Sequence, residues 1–152
     1  MQRKIVLSSE DSERIRTWLS SQKWLDCEGR PVTPRVAPED HLLGLIEKWS
    51  SVVAEIEQGY KFTIYDYIND ITVRDDIAEM MQLLTEAGKS RLVEWVDPID
   101  ERFLRATREI PLPVSYPSAE PRDRWWWYRV PKRFGEDLAY DLRSIGLIES
   151  SD

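Results

Sequence analysis

One cysteine and one histidine stand among the 152 residues, and each scarcity excludes chemistry. Cys27 has no second thiol to pair with, so the chain lacks the bridged framework of small secreted domains. Its flanking acids, Asp26 and Glu28, disfavour the thiolate that a nucleophile needs. His41, alone and among acids at the start of a helical pattern, offers no zinc-ligand spacing and reads as a solvated or capping residue. No apolar run approaches the ~20 residues of a membrane-spanning helix. The basic opening is followed by only Ile5, Val6 and Leu7 before acids begin, which is not a signal peptide. Cytoplasmic residence is the expectation. No glycine-rich phosphate loop, nucleophile elbow or His-Glu-x-x-His motif is present.

What the chain does have is acid, aromatic surface and helical periodicity. Asp and Glu number 28 against 21 Lys and Arg, a formal net charge of −7. That balance suits a basic protein partner and disfavours nucleic acid and anionic membranes as general partners. Seven Trp and six Tyr supply ample material for a core.

The densest pattern runs from Trp49 to Leu84. Leu42, Leu45 or Ile46, Trp49, Val52 or Val53, and Ile56 step by three and four after Pro38, and Gly59 is placed to end that helix. Thr63 precedes Asp66 by three, a capping signal for a short aromatic helix. Thr72 precedes Asp75 by three and predicts a second start, with Gly88 as its stop. Ser90 opens a further pattern, in which Pro98 either kinks the helix or, the favoured reading, marks a restart capped by Asp97. Ser8 or Ser9 caps a first helix, and Phe134 to Ile145 form a last one before Gly146. A proline-rich loop holds Pro111, Pro113, Pro117 and Pro121. The expected fold is mainly α, one domain over residues 1–152 of five or six bundled helices, with residues 5–7 and 126–130 as an optional strand pair.

Two groups of residues are candidates for function. Asp66, Asp70 and Asp75 lie on neighbouring helical turns, and clustered carboxylates hold divalent metal or perform acid–base work. The competing reading is structural: Asp66 and Asp75 as first-turn acids, and Asp70 paired with Arg74 across a corner. The second group is Trp125, Trp126, Trp127, Tyr128 and Arg129, set among Arg122, Arg124, Lys132 and Arg133. Aromatics with arginine dominate protein interfaces, and basic-aromatic runs also stack on single-stranded nucleic acid. An extended segment would turn Trp125 and Trp127 one way, Trp126 and Tyr128 the other. Burying a Trp of up to ~250 Å² is worth at most ~6 kcal/mol, so an exposed one needs a cover. The proline loop and last helix are one such cover and a partner is the other.

Gly59-Tyr60, Tyr65-Asp66-Tyr67, Asn69-Asp70, Arg74-Asp75, Asp100-Glu101-Arg102-Phe103 and the late Tyr128-Arg129-Val130-Pro131 form a set. Over residues 45–133 this set resembles small uncharacterised bacterial proteins. The resemblance implies a bacterial cytoplasmic source and carries over no activity and no catalytic residue. The reading is a non-catalytic, acidic protein-interaction module without cofactor, comparable by size and charge to immunity proteins and antitoxins or to regulatory proteins. The alternative is a divalent-metal-dependent enzyme built on the three aspartates.

Overall fold

The computed structural model describes residues 4–115 and 123–148. Pro117, Pro121 and Arg122 of the sequence reading lie outside the described residues. Among the described residues five α-helices pack together as a mainly helical single domain, with two small antiparallel sheets of two strands each.

Helix α1 (Ser9–Ser21) begins where the Ser8 hydroxyl accepts from the Asp11 amide. Strands β1 (Trp24–Leu25) and β2 (Pro31–Val32) form a small hairpin around the exposed Cys27. Helix α2 (Pro38–Glu57) starts on Pro38, whose missing N–H costs nothing in the first turn. It ends at Gly59, whose φ of +99° is open to glycine at little cost. Its inner face of Leu42, Ile46, Trp49, Val53 and Ile56 is buried, and α2 packs chiefly on α3 and α4.

Helix α3 (Ile64–Leu83) opens with a complete capping box, Thr63 and Asp66 each bonding the other's amide. It is one continuous helix, which corrects the expected restart at Thr72. The Thr72 hydroxyl donates to the Ile68 carbonyl one turn back, a mid-helix bond that competes with its use as a cap. Helix α4 (Glu86–Ala106) is also continuous, which corrects both the stop at Gly88 and the restart at Pro98. Thr85 is its cap and accepts from the Gly88 amide. Gly88 lies in the first turn because Asp11 fills the space where a Cβ would stand. Asp11 in turn accepts from the Thr85 amide and hydroxyl, so an acid from α1 secures the start of α4.

The strand pair differs from the one expected. Residues 5–7 are not a strand. Instead β3 (Thr107–Glu109) continues directly from α4 and pairs with β4 (Arg129–Pro131), with Arg108 opposite Val130. Residues 125–128 form a 3₁₀ turn and not an extended segment. The last helix, α5 (Glu136–Ser144), closes on Gly146 at φ +75°.

His41 is half-buried between the rings of Trp18 and Trp24, at 5.7 and 6.3 Å. Its Nε2 has no hydrogen-bond partner among the described residues. Burial holds its pKa below the ordinary histidine value, because the imidazolium loses water there. The unfolded chain then binds the proton more readily than the folded one. Stability from this group is present above about pH 6.5 and is lost as pH falls toward the folded-state value. Urea midpoints should fall between pH 7.5 and 5.5, and His41→Gln should remove that slope. Carboxylates held low, such as Glu57, act only at more acidic pH.

Candidate functional site

The two candidate groups meet inside the protein. Asp75, in the middle of α3, accepts from the indole Nε1 of both Trp126 and Trp127 at 2.8 Å. Its second oxygen pairs with Arg124 at 3.1 Å. The 3₁₀ turn sets neighbouring side chains about 120° apart, closer than the opposite faces of an extended segment, and from there both indoles reach one oxygen of Asp75. Trp126 and Trp127 are each 2% exposed, so their surface is taken up by contacts within the protein. Trp125 is half-buried against Phe103 and Trp126, at 5.8 and 5.6 Å. Tyr128 is half-buried, and its carbonyl receives the Ile110 amide while that of Trp127 receives Val114. The described start of the proline-rich loop therefore lies along the aromatic turn. Arg129 is committed to the end of α4, donating to the Thr107 hydroxyl and to the carbonyls of Thr107 and Leu104.

Beside Asp75, Arg74 does not pair with Asp70, as the sequence spacing suggested. It reaches across to Asp100 of α4, with Nε and Nη2 each 3.0 Å from a carboxylate oxygen. Asp100 also accepts from Trp49 Nε1 at 2.9 Å. The Arg74 guanidinium lies 4.4 Å over the Trp126 ring, a cation–π contact that joins this pair to the Asp75 bonds. Trp49, Asp100, Arg74, Trp126, Asp75 and Trp127 thus form one internal network linking α2, α3, α4 and the aromatic turn.

The other two aspartates are spent separately. Asp66 belongs to the capping box. Asp70 accepts from the Tyr60 hydroxyl at 2.6 Å. Burial, and then that bond, push the Tyr60 phenol far above its ordinary pKa, so it remains a donor. Asp66, Asp70 and Asp75 do not converge. Among the described residues no three His, Cys, Asp or Glu side chains are grouped to hold a metal ion.

A groove of about 1070 Å³ lies elsewhere, between α2 and α4. Leu43, Ile46, Trp95 and Ile99 make its floor. Glu39, Asp40, Glu47 and Glu94 stand around it, with Lys4 and Arg102 as its cations. Arg102 is already matched by Glu57, with Nη2 to Oε1 at 2.7 Å. The periodicity of α2 and α4 shows which residues face inward, but the groove depends on how the two helices are set against each other. Leu43 and Trp95 therefore carried no signal that would single them out in the chain.

No family model, no curated protein and no solved structure matches the chain. Part of the residue set picked out in the sequence has a physical account in the structure. Gly59 turns the chain, Tyr60 holds Asp70, and Tyr67 donates to the Arg129 carbonyl at 2.7 Å. Arg74 holds Asp100, Arg102 holds Glu57, and Phe103 packs on Trp49. These residues knit the helices together. Among the described residues no helix is long and apolar enough to cross a membrane.

Proposed function

We propose that the protein is a non-catalytic interaction module that receives a basic, amphipathic helical segment of a partner protein between α2 and α4. The observation that carries this reading is the groove: an apolar floor walled by four carboxylates, in a chain of net charge −7. From Glu39 to Ser50 it follows three turns of α2, about 17 Å, which matches a helical peptide of similar length. Half-buried Leu43 and Trp95 offer the apolar contact, and the acids steer a cationic segment and set its register. Internal use of Asp66, Asp70 and Asp75 supports an interaction role over the metal-dependent alternative. The aromatic anchor of this reading is Trp95 in place of Trp126 and Trp127. An immunity- or antitoxin-like role fits the same charge logic by analogy.

A synthetic 18-residue Lys/Leu helical peptide tests the groove, titrated at low salt and followed by fluorescence against a Trp95→Phe control. Saturable binding is expected, weakened at least tenfold by Glu47→Lys with Glu94→Lys. Both positions are exposed, so the thermal midpoint should stay within a few degrees. Undiminished binding by the double variant would overturn the reading. So would equal binding of a scrambled peptide of the same charge, which would reduce the effect to net charge alone.

A further inference from the structure

A second concavity, about 310 Å³, lies at the end of α4 on the other side of Arg102. Its charged lining is Arg102, Arg105, Lys132 and Arg133 against a single carboxylate, Glu57. Two parts of the chain build it. Arg102 and Arg105 are three apart in the last turns of α4 and share one helix face. Lys132 and Arg133 arrive from the exit of β4. The Lys132 amide donates to the Ala106 carbonyl, and the Arg133 carbonyl receives the Tyr60 amide, both at 2.9 Å. The β3–β4 pairing therefore delivers two cations beside two others that lie 27 to 31 residues away in sequence.

Glu57 does not neutralise the group. It is held by Arg102 through Nε and Nη2, and that hydrogen bonding keeps its carboxyl below the usual range. Arg105, Lys132 and Arg133 make no ion pair with a described residue. Cations at a helix C-terminus complement the helix dipole, which accounts for Arg105. It does not account for Lys132 and Arg133, which follow a strand. Glu57 is bonded to Arg102 and also feels the charge of Arg105, so four cations face one carboxylate and the notch keeps a net positive charge in an acidic chain.

We propose that this notch binds a small phosphorylated anion. Arginine presents a planar fork that meets two phosphate oxygens at once, and lysine adds a mobile point charge. The volume stands at the low end of ligand pockets, enough for a diphosphate group. Ile56 and Ala106 form an apolar wall that excludes water from one side of the ligand. The multiple charge of a diphosphate matches four cations facing one carboxylate better than a second single carboxylate does. This site shares only Arg102 with the α2–α4 groove, and Arg105, Lys132 and Arg133 do not line that groove.

Isothermal titration of the full chain with inorganic pyrophosphate at low salt tests it, with sodium chloride and sulfate at matched ionic strength as controls. One saturable site per chain is expected. The triple variant Arg105→Gln, Lys132→Gln, Arg133→Gln should bind at least tenfold more weakly and keep its thermal midpoint, since all three side chains are exposed. Competition by ATP at similar affinity supports recognition through the phosphates. Absence of saturable binding, or equal binding by the triple variant, would overturn the proposal. Binding of a single-stranded oligonucleotide that pyrophosphate fails to displace would overturn it as well, and would assign the cations to nucleic acid.

Discussion

Asp100→Ala should destabilise the protein by about 3–5 kcal/mol, the cost of leaving a buried charge without its partner. Arg74 and Asp100 are 6% and 8% exposed, so neither recovers water when the other is removed. The substitution also orphans the Trp49 indole, whose ring is fully buried. For a chain of this length the thermal midpoint should drop by roughly 10 °C. Asp100→Asn keeps an acceptor for Trp49 and should cost less, which separates the charge from the hydrogen bond. The double variant Arg74→Met, Asp100→Leu removes both charges and should recover much of the loss. A double variant no more stable than Asp100→Ala would show that the pair does more than satisfy itself. Denaturant midpoints with an unchanged slope are the measurement.

Asp75→Ala is the second large effect expected. It strands two buried indole N–H groups at about 1–3 kcal/mol each and frees Arg124. A total of about 3 kcal/mol is expected, read by urea unfolding. Tryptophan emission of the folded state should shift as the aromatic turn loosens from α3. Asp75→Asn retains volume and one acceptor and should cost about half as much. A negligible cost for both would mean that the indoles are held by packing alone. In that event the exposed-anchor reading of the 125–129 segment would regain ground, since its attachment to α3 would be weak.

Those two aspartates show where sequence reasoning held and where it failed. Local signals were legible because they depend on residues three or four apart. Ser8, Pro38, the Thr63–Asp66 box, Gly59 and Gly146 all mark element ends as their chemistry requires. Thr72 and Pro98 misled because a cap or a breaker is a local preference of a few kcal/mol at most, and packing along α3 and α4 overrides it. Gly88 misled for a different reason. Its meaning comes from Asp11, 77 positions away, which occupies the place of its missing side chain.

Charge, helical class and the inward faces of α2 and α4 followed from the sequence alone, because periodicity and capping are properties of a single segment. Partnership did not. Asp70 and Asp100 are equal candidates for Arg74 by composition, and Asp70 is the nearer in sequence; tertiary structure gave Asp70 to Tyr60 and Asp100 to Arg74. The three tryptophans were legible as a group of large side chains needing cover, but winding decided which two turn inward to Asp75. The acidic groove and the basic notch are also products of assembly. Each draws its charges from separate segments, and the docking of α4 on α2 and of β4 on β3 brings them together into two surfaces of opposite sign.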